Sequence, residues 1–215
     1  MRLPLPQFDA SARSPHHFAE VIETATTEFL AQCLEPDELG FPAMPPFGSW
    51  VKSRDEESGN TIYAVVYHAT TSPIDSVHRA RALGLSLAEL REQQPQIFAM
   101  LKTEFRAAIA GFQPARKGAP AYHHLPPRPP QIHQAVYSCP VDEVIAFTEQ
   151  LDFLRTLLQV TGAPVDSLVA ATLREIYQLR KADRAWLVQA GRTLSVLLKD
   201  DYDRLRVILS QIYVD

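Results

Sequence analysis

The residues best equipped for chemistry crowd into one short stretch, Ala121 to Cys139, which reads AYHHLPPRPPQIHQAVYSC. His123, His124, His133 and Cys139 are side-chain types that ligate zinc, and zinc requires three or four of them converging at near-tetrahedral geometry. The spacing opposes convergence. Adjacent histidines in an extended chain point to opposite sides, and the LPPRPP block over 125–130 holds His124 away from His133, because polyproline advances ~3.1 Å per residue. The stretch therefore reads as a stiff strap, with no metal and no cofactor assigned. Tyr122, His123, His124, Arg128 and His133 remain its candidate ligand or partner contacts. PPRPP also matches the pattern that docks in aromatic grooves, but a structural spacer explains it without a partner.

Elsewhere the chemistry-bearing residues have bland explanations. His16, His17, His68 and His78 stand without a neighbour that would make any of them a base. Asp55, Glu56 and Glu57 sit in a turn beside Gly59, and Asp200, Asp201 and Asp203 open a helix, where they cap it and complement its dipole. There is no GxxxxGK[ST] loop, GxGxxG, GxSxG, HExxH or paired CxxC, so no catalytic residue is assigned.

The strap must join two regions of different periodicity. Before it, strands are expected over 17–23, 26–34, 49–53, 61–71 and 105–114, with turn chemistry over 35–48 and a charged turn over 54–60. The segment TIYAVVYHATT, 61–71, is the strongest strand, and its uninterrupted apolar run predicts cover on both faces, as in a small closed barrel. Ser86 with Glu89 forms a capping box that predicts a short helix over 86–94. After the strap the period becomes 3.6, with apolar stripes over 141–160, 166–181, 183–199 and 201–213 predicting four amphipathic helices that must bury their stripes against partners. The expected organisation is a tail (1–15), a barrel (16–114), a proline-rich strap (115–139) and a four-helix region (140–215). The fold class is α+β, a small antiparallel β-barrel followed by a helical bundle.

Seventeen prolines against eight glycines favour stiff connections over flexible ones. No apolar run is long enough to span a membrane and the N-terminus carries no apolar signal core, so a cytoplasmic protein is expected. Cys33 and Cys139, far apart, indicate no disulfide framework. The net charge of −4 is uneven: residues 101–135 carry Lys102, Arg106, Arg116, Lys117 and Arg128 against Glu104 alone. That basic strip could meet single-stranded nucleic acid, but overall acidity and the want of an aromatic stacking ladder weigh against it.

The stretch FGSWVKSRDEESGNTIYAVVYHATTSPID, 47–75, resembles the HAS-barrel, the small β-barrel at the N-termini of HerA-type translocases and of rotary ATP synthase subunits. The chain as a whole, with PQIFAMLKTEF (95–105), RPPQIH (128–133) and the helical C-terminus, is similar to HAS-barrel proteins of cyanobacteria. In the ATPases the barrel is a docking or ring-forming element ahead of a catalytic domain, and the resemblance implies association without inherited nucleotide hydrolysis. The expectation is a non-catalytic interaction or assembly module with a protein partner, self-association included. The rival is an enzyme or a small-ligand or metal-binding protein with a site at the barrel–bundle junction.

Overall fold

A computed structural model of the chain describes residues 16–35, 43–74 and 81–212. The tail read over 1–15, part of the 35–48 turn and His78 lie outside the described residues. The N-terminal half is a closed, wholly antiparallel barrel of six strands and the C-terminal part is helical, so the α+β class holds. The strands are β1 (His17–Thr24), β2 (Glu28–Cys33), β3 (Trp50–Arg54), β4 (Thr61–Pro73), β5 (Leu101–Gln113) and β6 (Ala135–Ser138), in spatial order β1-β2-β5-β4-β3-β6. Between β4 and β5 run α1 (Leu87–Gln93) and α2 (Gln96–Ala99); Ser86 and Glu89 form a reciprocal capping box at the start of α1.

The closing strand comes from an unexpected place. β6 lies within 115–139, the span read as a connector, and pairs with β1 on one side and β3 on the other. Its signal is only four residues, AVYS, set four residues after the LPPRPP block and too short for period-2 alternation to register. Val136 nevertheless points inward and is fully buried with Val21, Phe29, Ile62, Phe105 and Ile109 in the barrel interior. Side chains fill that interior, as expected for a barrel of this strand number.

Both faces of β4 are covered. Ile62, Ala64 and Val66 face the barrel interior, while Tyr63, Val65 and Tyr67 join Trp50, Ala108 and Ala110 in a second core against the helices. Those helices are α3 (Val141–Phe147), α4 (Phe153–Leu157), α5 (Val165–Leu179), α6 (Arg184–Leu197) and α7 (Tyr202–Ser210). Buried Phe147, Phe153, Leu154, Leu168, Leu173 and Ile176 supply the helical side of this core, and Trp50 meets Phe147 and Phe153 edge-on, both at 5.5 Å. Gly48 allows the barrel loop to reach α5: it adopts φ +87°, and a Cβ there would stand 2.8 Å from the Ala171 Cβ.

The stripe over 141–160 predicts one helix, but the chain forms two. Helix α3 stops at Phe147, and its C-terminal carbonyls, which have no partner inside a helix end, are taken up by other elements. The Trp186 indole N–H donates to the Thr148 carbonyl at 3.0 Å, His123 Nε2 to Phe147 at 2.8 Å, and Arg180 to Ile145 at 2.7 Å. Breaking there lets Phe147 and Phe153 both reach Trp50.

Candidate functional site at the barrel–helix junction

The strap approaches the barrel beside β5. Tyr122 exchanges backbone hydrogen bonds with Phe112, N–H to carbonyl at 2.8 and 2.9 Å, forming an isolated antiparallel bridge. Gly111 makes this approach possible, because a Cβ on it would lie 2.1 Å from the Tyr122 carbonyl oxygen. The Tyr122 ring then packs at a tilt against Phe112 at 5.3 Å, and the His124 ring meets the same Phe112 edge-on at 5.5 Å. His123 turns the other way, as expected of neighbours in extended chain. Its ring stands perpendicular to Phe147 at 4.6 Å, and its carbonyl accepts from the Thr156 hydroxyl at 3.1 Å. His123 thus fastens the strap to α3 and α4.

Around His124 opens a cleft of about 560 Å³, lined by Thr27 and Glu28 of the β1–β2 hairpin, Ala108 and Ile109 of β5, His124 and Leu125 of the strap, and Thr156, Gln159, Val160 and Thr161 in and after α4. Its polar wall is Glu28, which accepts from Arg106 at 2.9 Å and from the Tyr67 hydroxyl. Burial and that bond push the Tyr67 phenol up to about 12. The floor is apolar, while threonine hydroxyls, the Gln159 amide and the His124 ring supply donors and acceptors.

The structure brings Tyr122, His123 and His124 together and leaves Arg128 and His133 elsewhere. Arg128 pairs with Glu57 in the charged turn. His133 takes a left-handed φ of +69° and its N–H donates to the Val21 carbonyl at 2.8 Å, so its backbone guides the chain into β6. The basic strip is divided too. Lys102 pairs with Glu104 at 2.6 Å, Arg106 pairs with Glu28 and more distantly with Glu23, and Arg116 and Lys117 stand exposed in the turn beyond the far end of β5. From Lys102 to Gln113 a strand runs ~36 Å at the usual rise, so these cations form no single patch. Among the described residues no group of three or more His, Cys, Asp or Glu is placed to hold a metal, and no helix is long and apolar enough to cross a membrane.

A second polar cluster, absent from the sequence reading, lies in the seam between barrel and helices. Lys52 on β3 reaches both carboxylate oxygens of Glu143 on α3, at 2.5 and 2.6 Å, and the Tyr63 hydroxyl donates to the same carboxylate at 3.2 Å. Burial, then Glu143, raise the Tyr63 phenol. Cys139, half-buried beside them, is raised by burial, with Lys52 opposing and Glu143 and Glu175 adding to the shift. Glu175 on α5 is pushed up to about 7 by burial, and its Oε2 has no hydrogen-bond partner. The available signal was the register: Lys52 opposes Tyr63 across β3–β4, so a charge and a phenol share the barrel's outer face.

Residues 18–113 match the family model of the HAS barrel domain. The match ends at the last residue of β5, so β6 completes the barrel from outside the matched span. No curated protein matches the chain.

Proposed function

We propose, from the premise that residues 18–113 are a HAS barrel domain, that the protein is a non-catalytic interaction and assembly module, working through the outer surfaces of its barrel and helices. The observation that carries this reading is where apolar surface remains. The barrel interior is filled, its β3–β4–β5 wall is packed by helices, and five of the exposed large apolar residues, Val188, Val196, Tyr202, Val207 and Leu209, stand on the consecutive helices α6 and α7. Clustered exposed apolar residues mark association surfaces in soluble proteins. Both thiols carry raised pKa values through burial, Cys33 up to about 12, which fits a structural role for each. A cytoplasmic setting, where thiols stay reduced, accords with the two free cysteines.

The test is gentle capture of the tagged chain from its own cells, followed by mass spectrometry. A stoichiometric protein companion is expected, whether another chain or further copies of this one. Isolation as a lone monomer carrying a small molecule would overturn the module reading.

That second outcome corresponds to a rival reading favoured by one observation, the His124 cleft with its apolar floor and the Glu28 carboxylate on its wall. It predicts a ligand that is retained on purification, released on unfolding, and lost when Thr161→Trp fills the cleft from its exposed rim.

A further inference from the structure

The surface of α6 and α7 has a charge pattern that complements itself. On α6, Arg184, Val188, Arg192 and Val196 recur every four residues along an exposed stripe opposite buried Trp186, Ala190 and Leu194. On α7, Tyr202, Arg206 and Leu209 form an exposed stripe flanking buried Leu205 and Ile208. The two helices pack side by side where Leu209 approaches Gly191, since a Cβ on Gly191 would stand 3.9 Å from the Leu209 Cδ2. Val196 is 71% exposed and Tyr202 73%, values too high for residues merely tucked between helices.

Along the chain a basic run gives way to an acidic turn. From 184 to 199 the chain carries Arg184, Arg192 and Lys199 and no acid, whereas the turn into α7 carries Asp200, Asp201 and Asp203. Asp200 is nearly fully exposed, and its contact with Lys199 is long, at 4.0 Å. Arg184 sits in the first turn of α6, where the helix dipole already places positive partial charge. The carboxylate of its neighbour Asp183 is occupied in capping Ala185 and Trp186. An external carboxylate at Arg184 would therefore relieve an unfavourable local field.

We infer that the α6–α7 face is the contact surface for a second copy of this chain, packed with the two α6 helices antiparallel about a two-fold axis. In such an isologous contact, whatever residue i touches on its partner is touched in return. Antiparallel apposition of two α6 helices, each ~21 Å long at the usual rise, sets the acidic turn of one copy against Arg184 of the other, twice, and closes Val188, Val196, Tyr202 and Leu209 between them. The inference rests on the module reading and assigns it one occupant.

Sedimentation velocity on the purified full chain across a concentration series tests it. The expected result is a monomer–dimer equilibrium that Val196→Asp and Tyr202→Asp each weaken by about tenfold or more, with circular dichroism unchanged because both positions are exposed. Arg184→Asp and Asp200→Arg singly should weaken the dimer by about threefold to tenfold, and the double variant should return to within about threefold of the parent, as for paired charges of opposite sign. A monomer at every concentration overturns the self-association while leaving the module reading to the capture experiment. A dimer that none of the four variants weakens overturns the assignment to this face.

Discussion

Glu175 shows how much one carboxyl can matter when burial outweighs its neighbours. It faces the seam that holds Lys52 and Tyr63 from the barrel, Cys139 from the end of the strap and Glu143 from α3, yet Lys52 is engaged by Glu143 and one Glu175 oxygen has no partner. Burial raises it from 4.5 to about 7. The folded chain then holds a proton that the unfolded chain releases, so stability falls as pH rises from about 4.5 to about 7, and the loss is complete above that. On the order of 1–3 kcal/mol is at stake once partial exposure is allowed for. Glu175→Gln, which fixes the neutral form, should raise the melting temperature by roughly 3–8 °C at pH 8 and leave it near the parent value at pH 5. Equal gains at both pH values would refute the assignment. Sequence reading passed over this cluster because its members lie on separate elements, β3, β4, α3 and α5, and only the folded register makes them neighbours. The histidines that drew attention divide instead between anchoring, in His123, and cleft lining, in His124.

At the scale of elements, the strap is a clamp as well as a connector. It adds the Tyr122 bridge to the barrel, fixes α3 and α4 through His123, pairs Arg128 with the charged turn and ends as β6. Gly111→Ala should uncouple it, because the new methyl would occupy the position of the Tyr122 carbonyl and press on Phe147, whose Cζ would lie 2.9 Å away. A loss of about 2–4 kcal/mol is expected from overpacking with a broken bridge, read as a lower denaturant midpoint. An unchanged midpoint would mean that the strap is not held there. Elements were legible where the pattern was long. β4 announced itself by an apolar run, and α5 and α6 by stripes of four turns. β6 has four residues, and the stripe over 141–160 continues through a break that only tertiary donors, the Trp186 indole and the His123 ring that reach the carbonyls of Thr148 and Phe147, make favourable. The HAS-barrel resemblance was legible in the strand-turn-strand over 47–75, whose β3 and β4 pair as adjacent barrel staves.

For the whole molecule, the two cores share a wall. Trp50, Tyr63, Val65, Tyr67, Ala108 and Ala110 leave the barrel surface to become half of the helical core, so neither half buries its apolar residues alone. Full-length protein should therefore unfold in one calorimetric transition, with calorimetric and van't Hoff enthalpies in agreement. Two resolved transitions would show that the halves fold independently. The placement of β6 has a further consequence, in time. During synthesis β1 emerges before β6, and about 110 residues separate its end from the strand that must cover its free edge, an interval of about 5–20 s at common translation rates. Throughout that interval the nascent barrel presents an open edge, the usual template for wrong pairing. The proline-rich segment that delivers β6 thus governs when, during translation, the chain ceases to be at risk.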